Sequence, residues 1–255
     1  MSIRRILGRA PILLATLLGL GAFIYPLVVP PPQTRVSAAA HAEDAPLVFL
    51  LLITLSLLAV LADLENQRLD SKTIALLGIL SAINAVLRFV PGPTGFSAIF
   101  FLPILCGYTY GGDFGFLLGA LSLFVSALIT GGVGPWMPYQ MFGLGWMGLS
   151  AGWLPHLRRW PRAEIALLAI FGAVWGLVFG AIMNLWFWPY IVPPAEIRGT
   201  SSILHRYAAF YLATSLWWDL GRAGGNAVLI LLFGGPLLRL LRRFQRRFHF
   251  VIKGS

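Results

Sequence analysis

Long apolar segments with few charges follow one another along this chain and restrict it to membrane-protein folds. Only 11% of the 255 residues are charged and 58% are hydrophobic, whereas soluble domains carry about 25% charged residues. One crossing of the bilayer takes roughly 20 apolar residues, so the chain has room for several. The sequence therefore predicts an all-α integral membrane protein. The apolar segments are residues 11–29, 46–62, 73–90, 97–110, 114–130, 139–154, 164–188 and 207–241.

Three of these segments differ in length from a simple crossing. Residues 97–110 and 139–154 are short for a full span. Residues 207–241 are too long for one span, so we expect a single last helix that extends into water.

Positive charge predicts how the segments are oriented. If the N-terminus lies inside and every segment crosses once, most of the 19 Lys and Arg residues fall in inner connections. The inner clusters include Arg158–Arg162 and the C-terminal run from Arg239. Because inner loops of membrane proteins are enriched in Lys and Arg, both termini are predicted to be cytoplasmic.

A polar stretch, Asp63–Lys72, divides the chain. Residues 1–72 are interpreted as an N-terminal transmembrane hairpin with this polar connection, residues 73–245 as a six-helix unit, and residues 246–255 as a basic cytoplasmic tail. No repeat relates the two halves of the six-helix unit, which counts against a carrier built from inverted repeats.

Small residues recur at four-residue spacing, which lets helices approach closely inside a membrane. Internal packing is the expected role of most of them. Ala75, Gly78 and Ala82 are the exception, because they lie on the first helix of the six-helix unit, where a smooth face suits a partner helix. The ridges expected to pack internally are Gly172, Gly176 and Gly180, with the pairs Gly115/Gly119 and Gly148/Gly152.

Polar residues inside the apolar segments are the second signal. Asn84 and Arg88 are four apart and share a helix face, and Asp219, Arg222 and Asn226 share another. A charge at the centre of a span costs about 2.5–3.5 kcal/mol on insertion scales. Asp219 and Arg222 are therefore interpreted either as an ion pair that satisfies itself or as groups that face a ligand.

Outer connections rich in Gly and Pro end in aromatic and amide side chains. They are residues 90–96 (VPGPTGF) and 130–140 (TGGVGPWMPYQ). An aromatic belt at the membrane surface is one explanation of the Trp residues on this side. The other is an apolar pocket with a few polar anchors, formed by Trp136, Tyr139, Gln140, Asn184 and Trp188.

Motifs for catalysis and metal binding are missing from the sequence. It has no Walker phosphate loop, no HExxH and no G-x-S-x-G elbow. Its four histidines are far apart, and its one cysteine, Cys106, lies in an apolar run where packing is the expected role. We therefore predict a non-enzyme without cofactor or metal that does not itself hydrolyse ATP.

Residues 73–154 resemble the substrate-specific (S) components of energy-coupling factor transporters. The matching features are the Asn84–Arg88 helix end, the inner turn Gly111–Gly115 (GGDFG) and the connection TGGVGPWMPYQM. The similarity is greatest to the branch assigned to cobalamin uptake. It implies six helices with both ends inside, in the plasma membrane of a prokaryote. The N-terminal hairpin departs from this pattern.

The resemblance also implies a mechanism. Such a subunit captures a vitamin near the outer face, docks onto a transmembrane coupling protein that carries two ATPases, and topples to release the vitamin inside. The family's docking face maps onto Ala75, Gly78 and Ala82. The substrate-binding candidates are Asn84, Arg88, Trp136, Tyr139, Gln140, Asn184, Trp188, Trp218, Asp219 and Arg222.

Two alternatives belong to other functional classes. One is a self-sufficient secondary transporter that uses Asp219 for ion coupling, which an ion-dependent flux with this chain alone would reveal. The other is a structural membrane protein whose polar groups only pair with one another.

Overall fold

The computed structural model describes residues 3–29, 40–65, 71–90, 92, 94–192 and 203–247. All regular elements in these ranges are helices, which confirms the all-α prediction. Short 3₁₀ turns at Ala98–Phe100 and Trp188–Tyr190 adjoin two of them. The helices are α1 (Ile3–Val28), α2 (Ala45–Glu65), α3 (Ser71–Leu87), α4 (Phe101–Tyr110), α5 (Gly112–Thr130), α6 (Met137–Ala151), α7 (Pro161–Phe187), α8 (Ile203–Thr214) and α9 (Leu216–Arg247).

Four of the described helices contain stretches long and apolar enough to cross a membrane, namely Ala10–Val28, Gly112–Thr130, Pro161–Tyr190 and Leu216–Arg246. The chain is therefore a multi-pass membrane protein. Shorter apolar stretches occur at Ala45–Leu61, Lys72–Leu87 and Ala98–Tyr110. The two segments predicted to be short are short, since α4 has 10 residues and α6 has 15.

The prediction of one long helix over residues 207–241 is wrong. The chain breaks at Ser215, and α8 and α9 are separate helices on either side of it. The Ser215 hydroxyl donates to Asn184 Oδ1 at 2.9 Å, and the Tyr207 hydroxyl donates to the Ala181 carbonyl. These bonds hold α8 and Ser215 against the end of α7. An uninterrupted helix over residues 207–241 would carry this segment away from α7. Hydropathy alone does not register such a break, because both helices are apolar.

Close backbone contact joins α5 and α6 at the centre of the bundle. A Cβ added to Gly148 would overlap the carbonyl of Gly115, and one added to Gly115 would overlap the carbonyl of Gly148. Such contact is how helices associate where lipid gives no hydrophobic drive. The predicted internal packing of these glycines is confirmed. Cys106 is likewise fully buried on α4.

The tandem glycines of α7 form a groove for α9. A Cβ on Gly176 would lie 2.6 Å from Ala223 Cα, and one on Gly180 would overlap the carboxylate of Asp219. On the next turn, the Gly172 carbonyl accepts a hydrogen bond from a side chain of α9. The glycines therefore bring α9 close enough for its polar side chains to reach the backbone of α7.

Buried polar contacts hold the opposite end of α9. Glu164, at the start of α7, is 2% exposed and accepts hydrogen bonds from Arg242 at 2.6 Å and from the Tyr108 hydroxyl at 2.7 Å. Gln245 donates to the Thr109 carbonyl at 2.8 Å. The basic end of α9 is thus fixed against α4 and α7.

The N-terminal hairpin, α1 and α2, packs on the rest of the bundle through α6. Phe23 of α1 meets the Tyr139 ring edge-on, with centroids 5.0 Å apart, and lies 5.7 Å from the Trp146 ring. A Cβ on Gly19 would lie within 3 Å of Phe142. Helix α1 therefore fits tightly against α6.

Candidate functional site

A cavity of about 440 Å³ opens where the start of α6, the end of α7 and the start of α9 converge. These three helix ends meet because the glycines of α7 let α9 pack closely against it, and because α6 also packs against α7. The cavity is lined by Trp136, Gln140, Gly180, Met183, Asn184, Trp186, Phe187, Ser215, Trp218, Asp219 and Arg222.

Six of the ten predicted substrate-binding residues come together in this lining: Trp136, Gln140, Asn184, Trp218, Asp219 and Arg222. Sequence reasoning missed Met183, Trp186 and Phe187, although their place in the same last turns of α7 as Asn184 was a usable signal. Ser215 carried no such signal, because its position depends on the break between α8 and α9.

An ion pair borders the cavity. Arg222 Nη1 lies 2.5 Å from Asp219 Oδ1, and Asp219 is only 2% exposed. The same nitrogen donates to the Gly176 carbonyl at 3.3 Å. The guanidinium also lies over the rings of Phe100 and Phe179, at 5.5 and 5.2 Å, where cations are attracted to the ring faces. The two residues therefore do form a pair, and both also face the cavity.

Three buried donors in the cavity lining have no hydrogen-bond partner among the described residues. They are Nδ2 of Asn184, Nε1 of Trp186 and Nε of Arg222. The Asn184 amide is oriented by Ser215, which donates to its oxygen and leaves the nitrogen free. A buried donor that lacks a partner costs about 1–3 kcal/mol. Binding of a ligand that supplies an acceptor to these donors is therefore favoured.

Aromatic side chains complete the cavity wall. Trp136 and Trp218 are 37% and 58% exposed and lie at its rim. Trp186 stacks on Phe187 with centroids 6.0 Å apart. The cavity thus combines flat apolar faces with a few fixed polar groups, which is the usual make-up of a small-molecule site.

Comparison with known proteins places the chain in a family. The family model described as ECF transporter, substrate-specific component, matches residues 72–234, well over half of the chain. The chain belongs to this family. The predicted family resemblance is confirmed, and the S component is accordingly the substrate-binding subunit of a membrane transport complex. No curated protein and no solved structure matched the chain.

The family match does not include the N-terminal hairpin. The match begins at residue 72, next to the predicted end of the hairpin region at that residue, and α2 ends before it at Glu65. The cobalamin-type branch is finer than this match and stays a prediction.

Two predicted site residues of the S component lie away from the cavity. Asn84 is fully buried, and its Nδ2 donates to the Ile99 carbonyl at 3.0 Å, which ties α3 to the turn before α4. Arg88 follows the end of α3 and reaches Ser126 Oγ at 3.4 Å. Neither is among the described residues that line the cavity.

Tyr139 and Trp188 lie close to the cavity but outside its described lining. Tyr139 is fully buried within α6, and its hydroxyl donates to Asp44 at 2.6 Å. Trp188 is 2% exposed and meets the Tyr207 ring edge-on at 5.5 Å. Both therefore pack within the protein and are not open to a ligand in this state.

The small-residue face of α3 is open. Ala75, Gly78 and Ala82 are all exposed, and a Cβ on Gly78 would meet no described atom within 4 Å. Ile79 and Ile83 beside them are 59% and 49% exposed. This surface has the shape predicted for a docking face, and its role in docking stays a prediction.

Proposed function

We propose that this S component captures a vitamin-type micronutrient in the cavity between α6, α7 and α9. It then delivers the micronutrient through a transmembrane coupling protein that carries two ATPases. The observation that supports this most is that six of the ten predicted substrate-binding residues line one cavity in a chain of this family.

The lining of the cavity suggests the chemistry of the ligand. Trp136 and Trp218, at the rim of the cavity, suit a flat, partly apolar ring system. The free donors of Asn184 and Arg222 suit oxygen or nitrogen acceptors on the ligand. A volume of about 440 Å³ lies in the lower part of the range of roughly 300–1,000 Å³ for small-molecule sites.

Cobalamin is the first candidate ligand, because the sequence is most similar to the cobalamin-type branch. A corrinoid macrocycle with its nucleotide arm is larger than the compounds that such cavities enclose. Cobalamin therefore requires a wider opening than this one, and Trp136 and Trp218 are the exposed aromatic side chains at its rim. Smaller vitamins need no such widening.

The cavity opens at the outer face in the proposed orientation. Helix α7 has 27 residues, or about 40 Å. Arg158–Arg162 lie at its start and the cavity lies at its end. Helix α9 runs the other way, from the cavity to the arginines after Arg239. With these basic clusters cytoplasmic, the cavity faces outward and both termini lie inside.

The open face of α3 is proposed to dock onto the coupling protein. Its small residues allow another helix to approach closely. A helix docked there would not contact a bound ligand, because α3 contributes no described residue to the cavity. We also propose that residues 73–245 form the transport unit, residues 1–72 an added hairpin and residues 246–255 a cytoplasmic tail.

The contacts of Asp219 weigh against a self-sufficient secondary transporter. Its carboxylate pairs with Arg222 and packs against Gly180. An ion bound at Asp219 would have to compete with the Arg222 guanidinium, 2.5 Å away, for the carboxylate charge.

A binding titration on the detergent-purified protein tests the proposed capture, with cobalamin as the first ligand and other vitamins after it. We expect Trp136→Ala and Gln140→Ala to weaken binding by about 1 kcal/mol or more. Trp153→Ala is the matched control, because Trp153 is 75% exposed near the opposite end of the bundle. Failure of the folded protein to bind any vitamin would contradict the capture function.

A further inference from the structure

The connection between α1 and α2 contains a buried polar network. His41 is 1% exposed, and its Nδ1 lies 2.7 Å from Asp44 Oδ2 and 2.7 Å from the Tyr139 hydroxyl. That hydroxyl donates to the same carboxylate oxygen at 2.6 Å. The other ring nitrogen of His41 lies 3.2 Å from the Trp186 carbonyl oxygen. One imidazole thus bridges the hairpin connection, α6 and α7.

Aromatic rings from three parts of the chain surround the imidazole of His41. Trp186 stacks on it with centroids 5.6 Å apart, and Tyr139 and Tyr190 lie at 4.4 and 4.7 Å. Tyr25 of α1 meets it edge-on at 6.1 Å. The ring therefore sits at a junction of α1, α6 and the end of α7.

The backbone at His41 is held in an unusual conformation. Its φ is +57°, a left-handed value that costs a residue with a Cβ about 1–2 kcal/mol. Such strain persists only where surrounding contacts fix the residue. The hydrogen bonds and rings around His41 are those contacts.

The charge of Asp44 strengthens the network. Burial by itself would raise the pKa of Asp44, but the hydrogen bonds from His41 and Tyr139 outweigh it and hold that pKa below its usual range. Asp44 is therefore an acceptor that both neighbours can use, and hydrogen bonds to a charged group are the stronger kind.

We propose that His41, Asp44 and Tyr139, here called the latch, make the N-terminal hairpin a structural part of the binding site. Trp186 lines the cavity, and so does Gln140, the residue after Tyr139. The latch joins the segments that carry them, α7 and α6. His41 is thus a positioning residue, since it holds the cavity wall without lining the cavity. This inference rests on the proposed function only in taking the cavity as the substrate site.

A cysteine reporter tests the positioning without any ligand. Gln140→Cys in a Cys106→Ser background is labelled with a maleimide, with and without His41→Asn. Asn tolerates a left-handed φ, so this variant removes the imidazole without adding backbone strain. We expect the His41→Asn variant to be labelled at least about fivefold faster. Loss of one hydrogen bond changes a local opening equilibrium by about this factor. His205→Asn, at an exposed histidine of α8, should leave the rate unchanged.

A second variant and a second site separate positioning from general stability. Tyr139→Phe removes only the hydroxyl and keeps the ring that packs on Phe23, and it should also accelerate labelling at position 140. Native Cys106 is fully buried in α4, so its labelling in the latch variants reports opening of the whole bundle and should not change. Unchanged labelling at position 140 in both variants would overturn the proposal. Equal acceleration at Cys106 would overturn it as well.

Affinity for cobalamin, measured in parallel, connects the latch to binding. We expect His41→Asn to weaken it about fivefold or more, and His205→Asn to leave it unchanged. If the unmodified protein does not bind cobalamin, the proposed substrate fails, while the labelling rates still decide whether the latch positions the cavity wall.

Discussion

Neutralising Asp219 should destabilise the protein by breaking a buried ion pair. Asp219→Asn keeps the shape of the side chain, which matters because the carboxylate fills the space beside Gly180. It also keeps an oxygen that accepts from Arg222. What it removes is the negative charge that balances a guanidinium whose side chain is only 14% exposed.

The size of the effect follows from the remaining contacts of Arg222. Removing one partner of a buried pair costs about 3–5 kcal/mol. Arg222 would keep the Gly176 carbonyl and the two ring faces of Phe100 and Phe179, so we expect the lower end, about 3 kcal/mol. In a chain of this size each kcal/mol shifts Tm by about 2–4 °C, which gives a fall of roughly 6–12 °C.

Thermal unfolding of Asp219→Asn, Arg222→Gln and the double variant in detergent forms a cycle that isolates the pair. The double variant should lose less stability than the two single variants together, because no unpaired charge stays buried. Additive losses, or a Tm of Asp219→Asn within about 2 °C of the parent (less than 1 kcal/mol), would refute the buried ion pair.

Three further outcomes are expected. Gly148→Leu should cost about 3 kcal/mol in thermal unfolding, because the side chain would meet the Gly115 carbonyl; unfolding like the parent would contradict the α5–α6 contact. Gly78→Leu should fold and bind ligand but lose uptake with the coupling protein, and normal uptake would place docking elsewhere. In a Cys106→Ser background, impermeant labelling of intact cells should reach Gly134→Cys and spare Arg158→Cys, and the opposite result would overturn the orientation.

Periodicity and charge along the chain were sufficient to predict most of the helices and several residues of the cavity. Hydropathy predicted most segments to within a few residues because burial in lipid depends on local composition. Glycine spacing predicted the α7 ridge because residues four apart always share a helix face. Polar side chains in apolar runs identified Asp219 and Arg222, because such groups are costly in lipid unless they are paired or face a cavity.

Contacts between distant parts of the chain were decided only by the tertiary structure. His41 was an isolated histidine in the sequence, yet it meets Tyr139, 98 positions away, in a buried network. Asn84 was a candidate for substrate binding from the sequence, yet its amide donates to the Ile99 carbonyl within the bundle. The break at Ser215 places its hydroxyl against Asn184 on another helix. Local patterns determine which residues must leave water or lipid, but the choice of partner depends on which helix faces meet when the bundle packs.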